Sequence, residues 1–179
     1  ASGGVAAMTF YDWSNTSWDL RAHPPDLALL PVGAVEQFGP HLPVGTQNYV
    51  LDAIAREVAA RLRGNVYLLP TQPFGTSGWH KGFAGTVSLS WRTLMALVTD
   101  LVESLLTVGV HRVAVLVGLG GEACSTVVPR ENSIVKTAVR RLNYENAELE
   151  AIWVQPLTVA HPELNRIFDS PEHDLHAGQ

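Results

Sequence analysis

The sequence predicts an α/β fold in a single domain, with a mostly parallel sheet flanked by helices on both faces. Three observations carry that expectation. Short apolar runs without helical periodicity, at 27–32, 66–69, 112–117 and 149–154, read as buried strands. The longer segments between them repeat apolar residues every three or four positions, as amphipathic helices do. Strands alternating with helices at this spacing favour parallel pairing. Finally, 179 residues with 46% apolar and 16% charged side chains hold enough material for one core and little room for a second.

Each element has a local reason. LALLPV (Leu27–Val32) is too short and too Pro-interrupted for a helix, and Gly33 closes it. Asn48 is placed as the N-cap of a helix over 49–63, with Val50, Leu51, Ile54, Val58 and Leu62 on one face and Gly64 as the stop. VYLL at 66–69 is a strand ended by Pro70, and the Gly/Ser/Thr-rich stretch 75–85 is a loop. Ser90 caps a helix over 91–108 whose apolar face is Leu94, Leu97, Val98, Leu101 and Leu105, ended by Gly109. RVAVLV (Arg112–Val117) is a strand followed by a glycine turn at 118–121, a third helix covers 128–142, and LEAIWV at 149–154 is the last strand. No repeat, low-complexity segment or linker interrupts this order.

Composition excludes several classes of function. With a formal net charge of -5 and scattered basic residues, the chain has no basic stripe for a phosphate backbone, so nucleic acid is not an expected partner. No apolar run approaches a bilayer span, and residues 1–7 lack a basic start and an apolar stretch, which leads to the expectation of a cytoplasmic protein without a membrane partner. The lone Cys124 excludes an intramolecular disulfide and a Cys-cluster zinc site.

In parallel α/β folds, ligands bind beyond the carboxyl ends of the strands. The segments to search are therefore 33–47, 72–88, 118–125 and the tail 161–179. Five of the seven histidines fall in them: His41, His80, His161, His173 and His176. Clustering of imidazoles at loop mouths points to chemistry, since imidazole is the side chain most readily poised for proton transfer near neutral pH.

Four motifs in these segments resemble, in the same order, those of the creatininase family of amidohydrolases, which includes the mycofactocin-precursor peptidase type. LPVGAVEQFGPHLPVGTQ at 30–47 is similar to the pattern L-P-x-G-S-x-E-Q-H-G-P-H-L-P-x-x-T-D. FGTSGWHKGFAGTVSL at 74–89 is similar to Y-G-x-S-x-x-H-x-x-F-x-G-T-I-S. The strand VAVLV followed by GLGGEA (118–123) is similar to a strand followed by N-G-H-G-G-N, and DLHAG at 174–178 to D-x-H-A-G. The resemblance implies a creatininase-like three-layer sandwich in one domain over 1–179, short at its carboxyl end. It also implies homo-oligomers, often hexamers, and a pair of zinc or manganese ions activating water against a C–N bond.

Carried over residue by residue, the implied ligand set is mostly altered. Glu36 matches the first Glu ligand. Phe38 stands at a ligand His, Gln47 at the bridging Asp and Leu119 at a second ligand His, and the other acidic ligand falls either at Gly121 or beyond the H-A-G motif. A divalent site needs three or four protein ligands, so the expectation is that no metal cofactor binds. Glu122, one position beyond Gly121, is the one nearby rescue ligand.

What remains suggests a pocket. Glu36, His80 and His176 are the expected catalytic residues, and Phe38, His41, Gln47, Ser77, Trp79, Leu119 and Glu122 the expected small-molecule contacts. Phe38 and Leu119 in place of imidazoles would make the pocket apolar, an environment suited to Glu36 as a general acid or base. The first reading is a metal-independent acid–base enzyme acting on a small amide-bearing or cyclic metabolite. A non-catalytic pseudoenzyme or assembly subunit is the alternative, and a metal-dependent amidohydrolase with an altered site through Glu36, Glu122 and His176 is a third. Trp13, Trp18, Trp79 and Trp91 offer apolar area for a core, a pocket wall or an interface between copies.

Overall fold

The computed structural model describes residues 10–118 and 133–159. Five strands, β1 (Phe10–Tyr11), β2 (Leu27–Val32), β3 (Val66–Leu68), β4 (Arg112–Val117) and β5 (Glu150–Val154), form one sheet in the order β1-β3-β2-β4-β5. Every pairing is parallel. Among the helices are α1 (Ser17–Ala22), α2 (Thr46–Arg61), α3 (Trp91–Thr107), α4 (Ile134–Glu145) and α5 (Pro156–Val159). The expected parallel sheet with helices on both faces is what forms.

The two faces follow from the alternation of side chains along a strand. Ala28, Leu30 and Val32 of β2, with Val113, Val115 and Val117 of β4, turn to one face and pack under Leu94, Val98, Val102 and Leu105 of α3 and Val135, Ala138, Val139 and Leu142 of α4. Leu29, Val66, Leu68, Ala114 and Leu116 turn to the other and meet Leu51, Ala55 and Ala59 of α2. β2 and β4 are apolar on both faces because both faces are covered.

The termini of the elements are fixed by local hydrogen bonds. The Ser90 hydroxyl accepts from the Thr93 N–H and starts α3, as expected, and the Ser133 hydroxyl accepts from Lys136 N–H and starts α4. The expected Asn48 cap is corrected. α2 begins a turn earlier, at Thr46 with Gly45 as N-cap, because the Pro43 carbonyl accepts from both Thr46 N and Thr46 Oγ1, at 3.0 and 2.6 Å. Asn48 is inside the first turn, and α2 ends at Arg61 where Leu62 turns extended. The expected strand at 66–69 stops at Leu68, although Leu69 N–H still donates to the Leu29 carbonyl.

The expected loop over 75–85 contains a short 3-10 turn, Gly78–His80. Most of the glycine turn at 118–121 and the start of the expected third helix, 128–132, lie outside the described residues. Two elements had no apolar period to announce them. β1 is a two-residue edge pairing with β3, and α1 buries no residue and rests on a capping box between Thr16 and Asp19. The four tryptophans expected in core, wall or interface are exposed, with Trp18 at 75% and Trp13 at 72% the most open, which removes them from the core.

No helix among the described residues is long and apolar enough to cross a membrane. The packing of α3 is testable. Leu94→Ala empties a fully buried position and should cost about 2–5 kcal/mol, whereas Val108→Ala at the exposed end of the helix should stay within about 0.5 kcal/mol, both read from urea unfolding midpoints. Equal losses would contradict the assignment of this face to the core.

Candidate functional site

The chain order reverses beside β2: β3 forms on one side of it and β4 on the other. Such a switch point opens a crevice at the carboxyl ends of the two central strands. Here it lies between Val32 and Val117, which are paired, and the Gly118 N–H closes the register by donating to the Val32 carbonyl at 3.0 Å.

Two glycines shape this edge. A Cβ on Gly33, just past β2, would sit 2.0 Å from Asn48 Oδ1, and one on Gly118, just past β4, would sit 2.7 Å from Gln47 Cδ. Without side chains at either strand end, the first turn of α2 lays Gln47 and Asn48 against the sheet edge. Gln47 is buried, and Asn48 Nδ2 donates to the Pro73 carbonyl at 3.3 Å.

Glu36 completes the edge from the loop after β2. Its N–H donates to the Val44 carbonyl at 3.0 Å and the preceding Val35 bridges Val87, so the backbone is held on both sides. Its side chain is fully buried, and so is that of Ser77. Six buried polar atoms here lack a hydrogen-bond partner among the described residues: both oxygens of Glu36, both polar atoms of the Gln47 amide, Asn48 Oδ1 and Ser77 Oγ. Folded proteins satisfy nearly all buried polar atoms, and each exception costs about 1–3 kcal/mol. These atoms belong to four residues in the loops after β2 and β3 and the first turn of α2, and unpaired buried polar atoms in such segments are candidates for contact with a ligand rather than for packing.

The set leans toward acceptors. Carboxylate oxygens accept only, Asn48 presents its oxygen, and the donors are the Gln47 amide and the Ser77 hydroxyl. A partner that satisfies it brings several N–H or O–H groups and at least one acceptor.

Beside this group, His80 in the turn Gly78–His80 is half-buried, its Nδ1 lying 2.8 Å from Gln37 Nε2. The Gln37 N–H donates to Thr86 Oγ1 at 3.1 Å. His80 therefore reaches the first motif through Gln37 and makes no hydrogen bond to Glu36. Phe38, two residues on from Glu36 in the same loop, is buried at 7% exposure. His41 is exposed, and Trp79 is 58% exposed on the same turn as His80. Leu119, Glu122 and His176 lie outside the described residues. Gln37 and Asn48 were not among the expected site residues: Asn48 was expected as a helix cap, and Gln37 carried no expectation of its own.

Among the described residues, no group of three or more His, Cys, Asp and Glu side chains gathers. A divalent ion takes three or four protein ligands, mostly imidazole, thiolate or carboxylate, and this edge offers one carboxylate beside two carboxamides and a hydroxyl. These described donors do not by themselves fit a pair of divalent ions.

A model of the family described as Creatininase, creatinine amidohydrolase, matches residues 14–179. The chain belongs to the creatininase family. Its resemblance to a mycofactocin precursor peptide peptidase of Mycolicibacterium smegmatis reaches 31% identity over 169 residues, 92% of this chain and 58% of that protein. The crystal structure of a creatinine amidohydrolase (creatininase) matches with a TM-score of 0.69 at 25% identity, covering 92% of this chain and 64% of that one. A creatininase variant of zinc–zinc type matches at TM-score 0.64 and 24% identity over 92% of this chain and 65% of its own, a likeness of fold. The chain spans less than two thirds of each of these proteins. The shared creatininase fold explains why the motifs at 30–47 and 74–89 converge on one sheet edge, and membership of a hydrolase family makes that edge an active-site candidate.

If the buried polar group exists for a ligand, removing it should stabilise the empty protein. Gln47→Met and Glu36→Leu, which keep volume while deleting orphaned polar atoms, are each expected to raise unfolding free energy by about 1–3 kcal/mol in denaturant titration. A loss of stability in both would show that these side chains are satisfied.

Proposed function

We propose that this creatininase-family chain is an amidohydrolase-like enzyme for a small amide-bearing or cyclic molecule, and that Glu36 performs the proton transfer without a metal pair. The observation that carries the reading is the acceptor-rich set of buried, unpaired polar atoms on Glu36, Gln47, Asn48 and Ser77, in the segments beyond the carboxyl ends of β2 and β3 and at the start of α2. A carbonyl compound bearing N–H groups is complementary to it. Its N–H groups meet the carboxylate and the Asn48 oxygen, and its carbonyl oxygen meets the Gln47 amide N–H.

The chemistry follows from those positions. Glu36 takes a proton from a water molecule as the water oxygen bonds to the carbonyl carbon. The Gln47 Nε2–H and the Ser77 hydroxyl stabilise the negative charge that gathers on the carbonyl oxygen. The C–N bond then breaks as the proton held by Glu36 passes to the leaving nitrogen, giving a carboxylic acid and an amine and returning Glu36 to its starting state. The buried, apolar surroundings supplied by Phe38 and the strand ends strengthen each of these electrostatic contacts. The replacement of the resembled family's ligand positions by Phe38 and Gln47 supports the metal-free form of this reading. Exposed Trp13 and Trp18 are proposed to lie toward a neighbouring copy in a homo-oligomer.

The test is metal analysis of the purified chain together with turnover of a panel of cyclic and linear amides, with and without a strong chelator. Expected are substoichiometric zinc and manganese, chelator-insensitive turnover, and a fall of about 10²-fold or more in kcat for Glu36→Gln. One or two tightly bound ions per chain with chelator-sensitive turnover would replace this reading by metal-dependent amidohydrolysis. Tight amide binding without turnover would replace it by a binding subunit.

A further inference from the structure

We propose that Gln37 is a positioning residue that fixes the tautomer of His80, so that the neutral ring carries its proton on Nε2 and serves this site as a hydrogen-bond donor and not as a base. Three hydrogen-bonding groups set the tautomer. The backbone N–H of Gly39 can only donate, so the atom of the Gln37 side chain 2.9 Å away must be the carboxamide oxygen. That places Nε2 at the other end of the amide, 2.8 Å from His80 Nδ1. A carboxamide NH2 can only donate, so Nδ1 must accept through its lone pair. In a neutral imidazole the remaining proton then belongs to Nε2.

The arrangement resists reversal. For Nδ1 to carry the proton, Gln37 would have to turn its oxygen to the ring, and its NH2 would then face the Gly39 N–H, two donors against each other. The main chain of Gln37 is fixed as well, by its N–H to Thr86 Oγ1 at 3.1 Å and by the bridge between Val35 and Val87. Gln37 thereby joins the loop after β2 to the turn Gly78–His80, residues 43 apart in sequence. The division of labour rests on the proposed function: Glu36, next to Gln37, is left as the base, and His80 supplies an Nε2–H to an acceptor. The tautomer itself does not depend on that reading.

The test is nitrogen NMR of the chain labelled at histidine, recorded where the ring is neutral, with the His80 signals assigned by their loss in His80→Gln. The expected spectrum shows a protonated Nε2 and an unprotonated Nδ1 in one dominant tautomer. Gln37→Glu, whose carboxylate can accept from both Gly39 N–H and Nδ1–H, is expected to reverse it, and Gln37→Met to leave a mixture. A wild-type ring protonated at Nδ1, or a tautomer unchanged in Gln37→Glu, would overturn the proposal. Should Gln37→Glu fail to fold, the wild-type spectrum and Gln37→Met still decide it. Because the readout is taken on the unliganded chain, its failure is distinguishable from a failure of the amidohydrolase reading, which would appear only in turnover and metal content.

Discussion

The structure depends on the absence of two β-carbons. At the carboxyl ends of β2 and β4, Gly33 and Gly118 leave the space into which the first turn of α2 inserts Asn48 and Gln47. Any larger residue at either strand end would collide with those two side chains and force them out of the places they hold against the sheet edge. That allowance carries two polar side chains to the switch point, where a parallel sheet naturally receives a ligand.

That allowance has an energetic consequence. Six buried polar atoms without partners among the described residues work against folding, and the opposing term is the covered sheet. β2 and β4 contribute fully buried Leu29, Leu30, Val32, Val113, Val115 and Val117, each of which removes roughly 1.5–3 kcal/mol worth of apolar side chain from water. The centre of the sheet is therefore where a family with this fold can best tolerate an unsatisfied cluster. A site at an edge strand such as β1, with two paired residues, would have no such reserve.

What the sequence made legible follows from the range of the interaction concerned. β2 and β4 match their expected bounds because burial on both faces writes itself as six consecutive residues dominated by apolar side chains, and α3 starts where expected because Ser90 bonds three residues on. α1 carries a capping box but buries nothing, so no apolar period announced it. The Asn48 cap was expected because Asn is intrinsically a better cap than Gly45, while the hydrogen bonds from Thr46 to the Pro43 carbonyl start α2 earlier, and the Asn48 side chain is engaged instead with the Pro73 carbonyl, 25 residues away. In the site, motif resemblance reached Glu36, Gln47 and Ser77, but the link from Gln37 to His80 is a side-chain pairing across two loops, which no spacing rule encodes.

Charge alone distinguishes the proposed site from a two-metal one. A bridging carboxylate and imidazoles hold divalent ions because anionic or strongly basic donors offset the cost of stripping water from the ion. On the proposed reading, a carboxamide and a phenyl ring at the positions that the resemblance gives to the bridging carboxylate and an imidazole remove most of that attraction, leaving the Glu36 carboxylate as the one anion among the described donors at this edge. A single buried carboxylate flanked by amides is a poor trap for two ions but a good match for a neutral molecule with several N–H groups, since hydrogen bonds to a carboxylate are roughly twice as strong as those between neutral groups. On the proposed reading, the substitutions convert a site that polarises its substrate with metal charge into one that must do so with hydrogen bonds. Such a site depends far more on the exact orientation of its side chains, and the tie between Gln37 and His80 supplies orientation of that kind.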